Sequence, residues 1–333
     1  MWWMVGFIVL LIKLAVVLGV LLGLAAYMVL VERKLLGRFQ IRYGPNRVGP
    51  FGLLQPLADG LKMLLKEDVL ISGADRLIFL TAPAVVAAVP LTIAAVIPFS
   101  PDLTIGETRI PMLITDLNIG LLFVLALASL SVYGVALGGW ASNSKYSLLG
   151  AIRGAAQLIS YELSLGLSLV PVVMIAGSFS LVGIVNAQAT YPFILVQPVS
   201  FLLFLISAMA ESNRLPFDLP EAENELIAGF HTEYSGMRFA LYFVGEYASM
   251  IVLGALVAVF FLGGWRGPLL PPVIWFLLKM LLVPIFFIWT RATLPRVRYD
   301  QLMHFGWKFL LPVALVNIVV TGLVILLTGG ANG

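Results

Sequence analysis

Two glutamates interrupt apolar runs in which a carboxylate is costly. Glu162 lies in Ser160-Tyr-Glu-Leu-Ser164 and Glu246 in Gly245-Glu-Tyr247. An ionisable group inside a bilayer costs roughly 2.5–3.5 kcal/mol on insertion scales and points to function. In surroundings of low polarity a carboxyl group holds its proton more readily, which suits it to proton exchange near neutral pH. The competing reading is a structural ion pair, with Lys279 in the apolar run 271–290 as the partner. A second set of carboxylates, Glu211, Asp218, Glu221, Glu223, Glu225 and Glu233, is packed into one polar stretch of a chain with 17 acids in all. Such a series can carry protons, hold a cation or meet a basic partner surface; a solvated acidic face is the plain alternative. Asp218 and Glu221 have the spacing of a capping box with Pro220 in the first turn. That predicts a helix with Glu221 and Glu225 on one face and Glu223 turned away.

The elements that position these groups follow from hydropathy. The chain has 333 residues, 61% of them hydrophobic and 11% charged, against about 25% charged in soluble domains. Apolar runs of about 20 residues recur, which predicts an all-α polytopic membrane protein. Eight spans are expected, at 4–31, 77–98, 117–140, 151–177, 193–210, 239–263, 271–290 and 307–328. Glu162 then lies about 16 Å into the fourth and Glu246 about 10 Å into the sixth, while Glu32 and Glu211 end the first and fifth. The chain reads as a single integral membrane domain, 1–333, with inner-side loops at 32–76, 141–150, 211–238 and 291–306. Those loops and their helix ends carry 16 of the 20 Lys and Arg residues. The positive-inside rule puts them on the cytoplasmic face and both termini outside, periplasmic in a bacterial inner membrane. A mitochondrial inner membrane is the second placement. The basic residues fall between spans and set topology, so the positive net charge of +3 does not indicate a nucleic-acid partner.

The first inner loop is long and patterned. Gly44-Pro-Asn-Arg-Val-Gly-Pro-Phe-Gly52 predicts a fixed turn. In 55–67, Leu57, Leu61, Leu64 and Leu65 repeat at helical spacing, with Asp59, Lys62 and Lys66 on the opposite face. This stretch predicts an amphipathic helix at the inner interface. Pro83, Pro90, Pro171, Pro198, Pro284 and Pro312 interrupt spans and can kink them. Gly134, Gly138, Gly139, Gly154 and Gly166 permit close helix packing. The chain has no cysteine and only two histidines, which excludes thiol nucleophiles, disulfides and Cys-ligated zinc or Fe–S clusters. No bound cofactor and no metal site is expected in this chain. Lys13, near the outer end of the first span, can snorkel and is given no role.

The motifs Glu32-Arg-Lys-Leu-Leu-Gly37, Gly44-Pro-Asn-Arg-Val-Gly-Pro50, Gly52-Leu-Leu-Gln-Pro-Leu-Ala-Asp59, Gly139-Trp-Ala-Ser-Asn-Ser144, Gln157-Leu-Ile-Ser-Tyr-Glu162, Ala210–Glu225 and Glu233-Tyr-Ser235 occur in this order. Through them the chain resembles the H subunit of bacterial NADH:quinone oxidoreductase, a family of respiratory complex I. The resemblance implies a membrane component at the junction of the peripheral redox arm and the membrane arm. Its spans and interfacial helix would build a chamber that admits a quinone from the bilayer lipid. Flavin and Fe–S clusters would sit on partner subunits, and antiporter-like membrane subunits would do the pumping. By matching motif, Glu162, Glu211, Glu221, Glu223, Glu225, Glu233 and Glu246 fall on the proton or coupling path. Arg33, Arg42, Arg47, Asp59 and Arg214 fall at the chamber mouth or the arm contact. Two departures stand out: Gly245 replaces a usual alanine, and Asp116 is the one carboxylate near the third span, at its outer edge. A stand-alone cation transporter and a membrane anchor, including one in a hydrogenase-type complex, are the alternatives. No internal repeat is evident, which speaks against the first, and the buried glutamates speak against the second.

Overall fold

The computed structural model describes residues 2–105, 108–110, 112–221 and 223–329. Strongly apolar sequence and a bilayer's demand for internal hydrogen bonding produce helices almost throughout. In chain order they are α1 (Trp2–Phe39), α2 (Gln55–Leu65), α3 (Arg76–Ile93), α4 (Gly120–Ala141), α5 (Lys145–Ala176), α6 (Leu181–Ala187), α7 (Phe193–Val196), α8 (Pro198–Glu211), α9 (Glu223–Leu226), α10 (Gly236–Phe261), α11 (Pro272–Thr293), α12 (Tyr299–Phe305) and α13 (Leu311–Leu327). A small antiparallel hairpin, β1 (Leu103–Ile105) with β2 (Thr108–Ile110), lies in the loop after α3. Among the described residues seven helical segments are long and apolar enough to cross a membrane, α12 and α13 counting as one across a single π-helical turn. The chain is a polytopic helical membrane protein.

The fifth expected span departs from the others. Instead of one helix over 193–210, α7 ends at Val196 and α8 starts at Pro198 and runs only 14 residues. Gln197, at φ −129° and ψ 58°, is the break. A residue before proline is pushed out of the α region, and the proline has no N–H to continue the ladder. The break is held in place by side chains. The amide of Gln197 donates to Thr321 Oγ1 at 3.0 Å, and that of Asn317 donates to Ser200 Oγ at 2.8 Å, tying α8 to α13. Inside a bilayer such inter-helix hydrogen bonds replace water that is not there. Pro83, Pro90, Pro171 and Pro284 lie within helices, whereas Pro312 stands in the first turn of α13.

α10 is the axis of the bundle. It is buried along nearly all of Tyr247–Phe261 and packs against α1, α3 and α11. α1 lies at the outside, with Phe7, Ile12 and Val16 more than half exposed, as a lipid-facing helix must be. The glycines do what their spacing predicts at four of five positions. A Cβ on Gly134 would lie 2.3 Å from Val86, one on Gly138 2.1 Å from the Tyr242 hydroxyl, and one on Gly139 2.5 Å from the Ser147 carbonyl oxygen. A Cβ on Gly154 would press on Pro220 at 3.1 Å, but one on Gly166 meets nothing closer than 4.0 Å, so close packing does not require glycine there.

Lys279 corrects an expectation. Among the described residues it does not pair with a carboxylate: its ammonium donates to the carbonyls of Leu262, Gly264 and Arg266 at 2.5, 3.0 and 2.6 Å. These lie just past the C-terminus of α10, where carbonyls without helical partners collect negative potential. The cation thus closes a helix end at the face opposite the acidic loop.

The α4–α5 contact gives a direct stability test. Gly139→Ala forces α4 away from the Ser147 carbonyl, and overpacking of this kind costs about 1–3 kcal/mol. Gly166→Ala is expected to be neutral. Thermal midpoints of the detergent-solubilised protein check both.

Candidate functional site

The site begins where α8 ends. Gln157 on α5 is fully buried, and its amide donates to the carbonyls of Ala210 and Phe217, each at 2.7 Å. One side chain thus closes the C-terminus of α8 and pins the following loop. Within that loop Asn213 adopts a left-handed conformation at φ 51°, and Phe217 N–H donates to the Arg214 carbonyl at 2.8 Å. Together these turn Arg214 back into the bundle.

There Arg214 meets two carboxylates. Its Nη1 donates to both oxygens of Glu32 at 2.9 and 3.0 Å, and its Nε lies 2.5 Å from Glu246 Oε1. Tyr247 puts its ring 4.4 Å from the guanidinium carbon and donates its hydroxyl to Glu32 Oε2 at 2.7 Å. Arg291, at the end of α11, also donates to Glu32 Oε1. Glu32 is 2% exposed and Arg214 6%. Two carboxylates, one buried and one half-buried, and two guanidiniums sum to zero, which is how charges are tolerated where water is scarce.

Two cavities adjoin this cluster. The larger, of about 460 Å³, opens between α1, α2 and α10. Its polar base includes Glu32, Arg33, Asp59, Tyr247 and Arg291, and its walls include Val29, Met63 and Phe239. The smaller, of about 70 Å³, lies between α3, α4, α5 and α10 and is lined by Glu211, Glu221, His231, Tyr242, Ser249 and Glu246 among others. That is space for a few water molecules with polar partners. Consecutive residues on α10 serve different cavities: Glu246 faces the small one and Tyr247 the large one. Arg214 joins Glu246 to Glu32 across the divide.

The expected residues sort themselves around this geometry. Glu211 and Glu246 line the small cavity, and Glu162, half-buried on α5, lies near enough for its charge to act on Glu211. Glu162 does not line the cavity itself. Arg33 and Asp59 pair at 2.7 Å within the large one. Arg42 and Arg47 are exposed on the first loop and line neither; Arg42 donates to Gln40 Oε1 at 2.7 Å. α2 forms as the leucine spacing predicts, with Leu57, Leu61, Leu64 and Leu65 all exposed on one face. The fixed turn also forms, with Gly49 and Gly52 at φ 71° and 75°; a Cβ on Gly52 would lie 2.2 Å from the Pro45 carbonyl oxygen.

The acidic loop differs from its expected helix. α9 spans only Glu223–Leu226, too short to carry Glu221 and Glu225 on one helical face. The loop packs backbone against backbone here, since a Cβ on Gly229 would lie 1.7 Å from the Pro220 carbonyl oxygen. Glu221 turns inward, its carboxylate 3.9 Å from His231 Nδ1. Burial, with help from the Glu246 and Asp218 charges, pushes its pKa well above the usual carboxylate range. Glu225 turns outward to Arg153 at 2.5 Å, and that hydrogen bond lowers its pKa. The Glu223 side chain lies outside the described residues. Glu233 is half-buried and lines neither cavity. His231 is 7% exposed and ringed by Phe230, Phe239 and Phe243, and burial pushes its pKa down to about 4. Among the described residues no group of three His, Asp or Glu side chains could hold a metal ion.

A helical membrane protein with a neutral charge cluster between two cavities is the class these observations define. The NADH dehydrogenase family matches residues 12–322. The chain is 68% identical to the second NADH-quinone oxidoreductase H subunit of Syntrophobacter fumaroxidans, over 98% of this chain and 99% of that one. It is 64% identical to the second H subunit of Geobacter sulfurreducens, covering 94% and 95% of the two chains, and 56% identical to the H subunit of Thermomicrobium roseum, covering 93% and 94%. The chain belongs to the H subunit family of NADH-quinone oxidoreductase, respiratory complex I.

Sequence reasoning missed Glu32, Gln157, His231, Tyr247 and Arg291 as members of the site. Glu32 stands beside Arg33 and Lys34, but consecutive helical residues point about 100° apart and do not face each other. Arg33 goes to Asp59 and Lys34 to the Phe51 carbonyl, while the partners of Glu32 come from residues 214, 247 and 291.

Removing one side of a buried pair costs about 3–5 kcal/mol. Arg214→Leu is therefore expected to lower the thermal midpoint and the amount of assembled complex in membranes, with Arg214→Lys intermediate. His231 supplies a pH test. Its folded pKa of about 4 lies below the ordinary histidine value of 6.5, so between those values the unfolded chain binds more protons. Stability present above about pH 6.5 is then lost as pH falls towards 4. The His231→Asn variant is expected to show a flatter profile across that window, read by chemical denaturation at stepped pH.

Proposed function

We propose that this chain is the quinone-chamber and coupling subunit of a proton-translocating NADH:quinone oxidoreductase. The observation that carries the proposal is the Glu32–Arg214–Glu246 bridge between the two cavities. The large cavity falls in the usual range for small-molecule sites, roughly 300–1,000 Å³. Apolar walls suit an isoprenoid chain, and the charged base suits a headgroup that gains electrons. Its opening beside α2, whose leucines face outward, suits entry from the lipid interface.

Reduction of a quinone to a quinol takes two electrons and two protons. Electrons come from flavin and Fe–S centres on partner subunits, since this chain offers no thiolate to hold them. Charge arriving in the chamber acts on Glu32 and Arg291 directly. Arg214 is shared between Glu32 and Glu246, so any change in its hold on one carboxylate changes its hold on the other. Glu246 then exchanges its proton with the small cavity, where Glu211 and Glu221 continue the series towards the antiporter-like subunits. Glu162 stands behind Glu211. Glu223, Glu225 and Glu233 belong to the loop that meets the redox arm, as do Arg42 and Arg47 on the first loop. The basic loops support a cytoplasmic position for this face, with both termini in the periplasm of a bacterial inner membrane.

Two variants separate the chamber from the coupling path. Gly60 lines the chamber, and a Cβ there meets nothing within 4 Å. Gly60→Trp is expected to raise the apparent KM for a short-chain quinone while electron transfer from NADH to a soluble acceptor persists; Gly60→Ala is the control. Glu246→Gln and Glu211→Gln are expected to lower quinone-dependent proton translocation in vesicles by roughly tenfold, on the order of 1.4 kcal/mol. Full coupled activity in both glutamate variants overturns the coupling role. An unchanged quinone KM in assembled Gly60→Trp overturns the chamber.

A further inference from the structure

One wall of the large cavity is not packed into the bundle. Gln55, Asp59 and Met63 of that lining belong to α2, whereas Phe239, Ala240 and Val244 belong to α10. No residue of α2 is buried, so packing does little to fix its distance from α10. Its polar ties do more. At its start, Arg33 pairs with Asp59 and Lys34 donates to the Phe51 carbonyl, which fastens this end to α1.

At its other end the chain leaves α2 at Lys66, extended at φ −73° and ψ 136°, and crosses the start of α10. Ser235, just before α10, clasps this strap with one hydroxyl. It donates to the Glu67 carbonyl at 3.3 Å and accepts from the Val69 N–H at 3.2 Å. Gly236 lies at φ 56°, and a Cβ there would stand 3.3 Å from the Lys66 carbonyl oxygen. Glycine suits both that backbone and so close a crossing. Arg238 then reaches Asp68 at 3.0 Å. A cation in the first turn of a helix opposes the helix dipole, so Arg238 is poorly placed to stabilise α10 itself. Its guanidinium carbon lies 5.4 Å from the ring centre of Phe79 on α3, which is fully buried and stacked on Tyr234. The anchor thus belongs to the packed bundle, and the strap is what it holds. Asp68 is partly exposed, and an ion pair open to water adds little to stability. Its value lies in position.

We infer that the strap 66–69 with Ser235 and Arg238 is a latch that sets how far α2 stands from α10. Asp68, Ser235 and Arg238 are then positioning residues for quinone binding: they touch no substrate but hold the wall that does. The inference rests on the chamber reading. A wall fixed at both ends is already arranged for its ligand, and less ordering is needed when the ligand enters. Released at the strap, α2 keeps its tie to α1 and swings away from α10 at its far end, where Met63 lines the cavity.

The test uses the assembled complex carrying Asp68→Asn, Arg238→Gln or Arg238→Lys. Hydrogen exchange followed by mass spectrometry reads the opening of segment 55–65, and steady-state rates read the KM for a short-chain quinone. Asp68→Asn and Arg238→Gln are expected to speed exchange in 55–65 but not in 76–93. Both are expected to raise the quinone KM roughly threefold, because the competent arrangement is less populated. The kcat and electron transfer from NADH to a soluble acceptor are expected to hold, and Arg238→Lys to behave as the unsubstituted complex. Where Arg238→Gln does not assemble, Asp68→Asn carries the test. Unchanged exchange in 55–65 overturns the latch and leaves the chamber reading intact. Faster exchange with an unchanged KM overturns its role in quinone binding. A raised KM in Gly60→Trp in the same assay then confines the failure to the latch, and an unchanged one extends it to the chamber.

Discussion

The structure depends on keeping buried charge neutral. Glu32 and Glu246 are carried into the bundle by helices α1 and α10, where a carboxylate needs a partner. Arg214 and Arg291 balance them, arriving from the loop after α8 and the end of α11. Four separate segments therefore converge on one point. The convergence explains features that look local in isolation: the polar loop that turns back into the bundle, the glutamine that pins it, and the tyrosine stacked under the guanidinium. Replacing such a cluster with apolar groups is often neutral or stabilising in other proteins. Stability is therefore a weak explanation for its presence, and its position between two cavities is a better one.

Much of the architecture was legible because hydropathy is a strong signal. Seven of the eight spans form as long apolar helices, and the amphipathic α2 follows its leucine spacing. The fifth breaks at Gln197 because one proline outweighs an otherwise continuous apolar run. The acidic loop is harder. A capping-box pattern reports a local preference worth roughly 1 kcal/mol, and it does not foresee that the Pro220 carbonyl packs against Gly229. Lys279 is illegible for a related reason. A cation inside a span needs negative charge, but the sequence alone does not tell a carboxylate from the carbonyls beyond a helix end.

The site was half legible. Carboxylates in apolar runs announce themselves, which exposes Glu246 and Glu211. Their partners stay hidden, because pairing in a bundle is set by helix faces and not by neighbours in the chain. Arg291 reads in sequence as one more basic residue of a cytoplasmic loop, and its half-buried position at Glu32 emerges only once α1 and α11 are packed. His231 carries no sequence signal at all. Its chemistry comes from the aromatic rings of Phe230, Phe239 and Phe243, brought together by a short helical turn and the first turns of α10.

A neutral cluster is also a poised one. Arg214 satisfies two carboxylates at once, and neither contact can strengthen without cost to the other, since a single planar guanidinium sets both geometries. On the proposed reading this makes it a lever between chamber and cavity. An electron pair arriving on a bound quinone alters the balance at Glu32, and the reciprocal change follows at Glu246 one side chain away. No large movement of helices is required. α10 supplies the rigid frame, with Tyr247 and Glu246 fixed on adjacent positions of a helix buried nearly to its end. A coupling element of this kind needs a stiff scaffold and a shared ligand, and the bundle provides both in the same helix turn.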